Sequence, residues 1–153
     1  MDSLKPRMAV VESARRFLGH PWVLGASGCS GEGMDCAGLI TAVIEDLGLQ
    51  GAMPEYKPTR TNKEVLLPHE DPKSMLSLFK LAFKTDIPFN SAGVGDVEVY
   101  CLRNTDISCH CAILTDIGII HTHRGVGKVV ETERCRFWNK RRKAVFHLKG
   151  IED

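Results

Sequence analysis

A glycine-rich run, Gly25, Gly28, Gly31 and Gly33, gives way at Cys36 to an apolar helical pattern, and this junction constrains the chain most. Leu39, Val43 and Leu47 recur every four residues, with Ile40 and Ile44 beside them and Gly48 as a stop. The pattern predicts a buried helix with Cys36 in its first turn. Unpaired amides and the positive end of the helix dipole favour a thiolate there. A thiolate presented by a loop at a helix start is one way a cysteine nucleophile is activated. The other reading is a small core residue, which free cysteines often are.

The 153 residues suit one domain spanning 1–153, with a single core. A formal net charge of +1 argues against a nucleic-acid binder driven by overall charge. No apolar run approaches the length of a membrane span. The segment from Met1 to Val11 lacks the apolar core of an export signal, so the six cysteines are expected as reduced thiols.

Met8 to Leu18 carries a helix pattern (Val10, Val11, Ala14, Phe17, Leu18) closed by Gly19 and Pro21. Gly51 to Pro68, with its three prolines, reads as a long irregular connection. Asp71-Pro72 followed by Met75, Leu78, Phe79 and Ala82 predicts a third helix. From Gly95 the period becomes two, and five strands are expected: Asp96–Leu102, Cys109–Thr115, Ile117–His123, Lys128–Glu133 and Ala144–Lys149. Helices first and an antiparallel meander afterwards is an α+β layout.

Alternation puts His110, Ala112 and Leu114 on one strand face and Cys109, Cys111 and Ile113 on the other. A two-residue turn at Asp116-Ile117 sets His110 opposite His123, with His121 diagonal to it on the same face. A three-residue turn bulged at Gly118 sends His121 and His123 to the far face. The first register offers a histidine base with a second histidine to orient it, a Cys-His-His relay. The alternative is a set of half-buried sheet histidines satisfied by backbone. Spacing speaks against a metal at Cys109, His110, Cys111, His121 and His123, because Cys-x-Cys on a strand aims both sulfurs away from His110.

Together these stretches resemble the NlpC family of papain-like cell-wall cysteine peptidases, and more narrowly its phage and gene-transfer-agent tail branch. The carriers are Asp35-Cys36-Ala37-Gly38-Leu39, the opening from Ala14 to Trp22, Gly95-Asp96-Val97, His110 to Leu114, and Ile120-His121-Thr122-His123 through Val129-Val130-Glu131. Arg141-Arg142-Lys143-Ala144-Val145-Phe146 matches the tail branch. The resemblance implies a papain-like fold, N-terminal helices on a five- to six-stranded antiparallel sheet. It implies Cys36 as nucleophile, His110 as base and His121 as its orienting partner, with no cofactor and no metal. Asp35, Trp22 and Ala37 take the positions that meet substrate. Trp22 stands where the family carries a tyrosine, and an indole donates a hydrogen bond but accepts none. Ala37 stands where a serine is common.

The implied reaction is cleavage of a peptidoglycan stem peptide, typically at the γ-D-glutamyl bond to a diamino acid. The implied setting is a virion tail tip, with a tail hub protein as partner. Two other classes compete: a tail component that keeps the fold without the chemistry, and a metal-binding module on the Cys109 to His123 cluster. A signal-free antagonistic amidase is the rival among enzymes. The basic run Arg134 to Lys143, with Phe137 and Trp138 inside it, reads as a solvated face or as a contact with anionic wall or an acidic tail partner.

Overall fold

The computed structural model describes residues 3–23, 33–49, 60–61, 64–65, 87–101, 108–123 and 125–153. Helix α1, Arg7–Arg15, buries Val10, Val11 and Ala14 along one stripe, as its spacing predicts. Helix α2, Cys36–Asp46, buries Leu39, Ile40, Val43 and Ile44. Its start is capped by Asp35, whose Oδ1 accepts the Gly38 N–H at 2.7 Å, satisfying one of the first-turn amides that the helix itself cannot pair. Ser13 Oγ donates to Asp46 Oδ2 at 2.6 Å and Arg16 pairs with the same carboxylate, tying α1 to the end of α2.

Strands β1, Arg60–Thr61, and β2, Glu64–Val65, pair antiparallel inside the stretch expected to be irregular, so that reading is corrected to a short ribbon within a connection. The helix expected from Asp71 lies outside the described residues, as do Gly25, Gly28 and Gly31. Among the described residues the main sheet has the five strands β3, Val97–Cys101; β4, Ser108–Leu114; β5, Ile119–His121; β6, Val130–Thr132; and β7, Arg142–Phe146. Its order is β6-β5-β4-β3-β7, antiparallel throughout. A four-residue helix α3, Arg136–Asn139, precedes β7. The expected β7 began at Ala144. It begins earlier, at Arg142, and ends at Phe146, and the next residue, His147, bonds Asp96.

Alternation divides the sheet into two faces. Val97, Val99, Cys111, Ile113, Ile120, Ala144 and Phe146 join α1 and α2 in the main core, which also holds Cys36. Tyr100, Ala112, Leu114 and Ile119 form a second cluster, against which Trp138 packs. Among the described residues three glycines, Gly33, Gly95 and Gly118, are set by close approach; at Gly95 a Cβ would lie 2.8 Å from the Arg7 carbonyl oxygen. Gly33 has φ +112°, and a Cβ there would lie 2.3 Å from the Pro21 carbonyl oxygen. At Gly118 a Cβ would lie 2.1 Å from the Thr132 carbonyl oxygen, so the hairpin can pack onto β6 only with glycine there.

Candidate active site

The turn between β4 and β5 decides the site. Ile113 pairs with Ile120 and Leu114 with Ile119, and the Thr115 N–H donates to the Gly118 carbonyl at 2.8 Å. The connection is therefore the two-residue turn Asp116-Ile117, and the bulged alternative is excluded. Arg15 holds this turn from α1: it donates to Asp116 Oδ1 at 2.6 Å and forks onto Glu131 of β6 at 2.9 Å. Both carboxylates are held below their usual range, chiefly by those Arg15 hydrogen bonds.

That register brings His110 and His121 together, with His110 Nε2 2.9 Å from His121 Nδ1. The His123 ring stands 5.5 Å from His110 and 5.4 Å from His121. His110 and His121 are 4 % and 3 % exposed, so both are shut away from bulk water. Burial, with the neighbouring His121 and His123 charges, pushes the His110 imidazole well below its ordinary range. His121 is pushed down to about 4 by burial and by His123, and His123 is lowered by burial. The cluster is neutral at pH 7. A neutral pair shares one proton between its facing nitrogens. When His110 Nε2–H donates to His121 Nδ1, the lone pair of His110 sits on Nδ1, which has no partner among the described residues. His121 Nε2–H then faces Thr132 Oγ1 at 3.5 Å. Such an imidazole can take a proton and is oriented to do so.

Cys36 is the first residue of α2, 9 % exposed, where the cap and the unpaired amides of the first turn surround it. It lies in the helix-side core, whereas His110 turns to the Tyr100 side of β4. Among the described residues no hydrogen bond joins Cys36 to His110. Two of the three expected catalytic residues are thus in contact, and the third stands at its expected helix start. Asp35 is the α2 cap, and Ala37 is buried in the first turn. Trp22 is half-buried. Its backbone bridges Met34, just before α2, and its backbone N–H donates to the Gly127 carbonyl at 2.9 Å.

The sequence reading missed Trp138. Its ring lies 4.5 Å from His110, 5.8 Å from His121 and 5.9 Å from His123. Tyr100 stacks on His110 at 5.8 Å and donates its hydroxyl to Glu98 at 2.8 Å. Buried Glu98 also receives Arg134 at 2.7 Å and Arg142 at 3.0 Å. Burial and the Glu98 charge raise the Tyr100 phenol, so it stays protonated. The aromatic residues of the basic run could have suggested a packed segment, but nothing in that run pointed to the histidines. His147, to which the sequence reading gave no role, bonds buried Asp96 at 2.7 Å. Among the described residues no cluster of three or more His, Cys, Asp or Glu side chains is arranged to hold a metal ion.

Neither a family model nor a curated protein sequence matches the chain. Solved structures do. An NlpC/P60 family protein from Bacillus cereus superposes with a TM-score of 0.67 at 14 % identity, covering 97 % of this chain and 41 % of that one. The NlpC/p60 domain of the peptidoglycan hydrolase SagA gives 0.60 at 20 % identity, covering 94 % and 100 %. The peptidoglycan hydrolase RipB from Mycobacterium tuberculosis gives 0.63 at 17 % identity, covering 96 % and 65 %. The fold is the papain-like α+β fold of NlpC/P60 proteins, as expected from the sequence. The chain spans less than half the length of the Bacillus cereus protein.

Proposed function

We propose that this protein is a peptidoglycan hydrolase, a cysteine endopeptidase that cuts stem peptides. The observation that carries the reading is the buried His110–His121 pair at 2.9 Å, on a fold whose solved neighbours include peptidoglycan hydrolases. Cys36 Sγ attacks the peptide carbonyl, and His110 Nδ1 takes the thiol proton and returns it to the leaving amine. Water then releases the acyl-enzyme. The Cys36 backbone N–H, fixed at the start of α2, donates to the oxyanion. The reaction requires Cys36 and His110 to meet. In the structure Cys36 lies in the helix-side core and His110 on the Tyr100 side of β4, so the step requires a rearrangement that brings the imidazole to the thiol. The bond proposed is γ-D-glutamyl to diamino acid, and the setting proposed is a phage-like tail tip, docked to a hub protein and opening the wall locally during DNA delivery. The experiment is digestion of purified peptidoglycan with wild type and Cys36→Ala, fragments read by mass spectrometry. New N-termini at the diamino acid with wild type alone support it, and undigested wall with both sinks it.

One observation favours a second reading, a tail component that keeps the fold without hydrolysis: Cys36 lies in the helix-side core with no hydrogen bond to a histidine among the described residues. Thiol reactivity separates the two, because an inert Cys36 in folded protein accompanies only the second.

A further inference from the structure

We propose that Trp138 is a positioning residue: its indole, carried on α3, closes over the His110–His121 pair, fixes the plane of the His110 ring and keeps water from the bond between the two rings. The inference rests on His110 being the base.

The indole lies 4.5 Å from the His110 ring at a tilt of 30°, and 5.8 Å from His121 at 84°, which is edge contact. It also meets Tyr100 at 5.1 Å, and Tyr100 itself lies over His110 at 25°. Two rings that touch each other thus both bear on one imidazole and restrict its rotation. Trp138 and His123 are half-buried while His110 and His121 are buried, and both half-buried rings lie against the pair, so the indole is one of the groups between the pair and solvent.

The segment bearing Trp138 is fastened on both sides. Arg134 before α3 pairs with buried Glu98, and the Arg141 carbonyl after it accepts the Cys101 N–H at 2.7 Å. A four-residue helix has little stability alone, so these ties hold it over the site. The titratable groups facing His110 are His121 and His123, with Glu98 behind Tyr100. An imidazole kept dry in this way stays neutral and keeps a single tautomer, as a general base requires.

The test follows side-chain imidazole resonances through a pH titration in wild type, Trp138→Ala, Trp138→Leu and Trp138→Phe. Opening the wall should move the His110 and His121 midpoints in Trp138→Ala up toward the free-imidazole value of about 6.5. Trp138→Leu keeps apolar cover without a ring, and Trp138→Phe should restore most of the wild-type titration. In hydrolysis, Trp138→Ala should lower kcat by about 10²-fold, a misplaced-group effect, with KM little changed. Unchanged midpoints in a folded Trp138→Ala overturn the proposal, as does a loss confined to KM. If Trp138→Ala does not fold, a Trp138→Leu enzyme with wild-type kcat overturns the ring-positioning claim. Should wild type cleave no peptidoglycan, the titration still reads the wall, so the two failures are distinguishable.

Discussion

Replacing Cys36 by alanine exchanges one small buried side chain for another, so folding should survive and hydrolysis should not. Limiting iodoacetamide at pH 6 should label Cys36 ahead of the other five cysteines; Cys109 or Cys111 reacting first would overturn the nucleophile assignment. His110→Ala should cost about 10²–10⁴-fold in rate, the usual contribution of a general base. His121→Ala should cost less, because it holds the base without moving the proton, and His123→Ala least. A larger loss at His123 than at His121 would mean that the orienting residue is misassigned. As candidates these residues could be named from the sequence, because each carries reactive chemistry in its side chain. Trp138 was not, because its neighbours are basic and its role comes from folding back over strands distant in sequence. Asp96 and His147, 51 residues apart, are a second case: nothing local to either announces the other.

At the level of elements, the α2 start and the β4–β5 hairpin carry the site. Asp35→Ala removes the cap on Gly38 and should cost about 1 kcal/mol, which for a chain of this size lowers Tm by about 2–4 °C. A Tm unchanged in Asp35→Ala would show that the cap contributes nothing. Strand periodicity made the sheet readable, and the helix pattern around Val43 did the same for α2. Periodicity left the hairpin undecided because both turns fit the same residues. What settles it is the close approach of Gly118 to the Thr132 carbonyl and the Arg15 grip on Asp116, both long-range contacts.

Across the whole molecule, the neutral histidine cluster links folding to pH. His110 and His121 have folded values depressed below an unfolded value of about 6.5, so between the two the unfolded chain binds protons that the fold refuses. Stability from this source is complete above about 6.5 and is lost as pH falls toward about 4 for His121. The carboxylates of Asp46, Asp116 and Glu131 are depressed instead, so their contribution goes only at lower pH. Thermal melts should therefore fall from pH 7 to pH 4.5, with a shallower slope in His121→Asn, and a flat profile would contradict the buried neutral pair. The tail-tip setting predicts the protein in gradient-purified particles at a few copies each. Infectious particles without it would favour a free lysis enzyme or an antagonistic effector.

The two-residue turn at Asp116-Ile117 also bears on how this protein can change over generations. Ile117 is 59 % exposed, and substitutions there should be tolerated freely. Length is another matter. One added codon that shifted the β5 register would turn His121 out of phase with His110 while every residue of the site remained in the gene. Active descendants can therefore drift in the spelling of this hairpin but not in its count, and an inserted codon should disable hydrolysis more surely than any point change at Ile117.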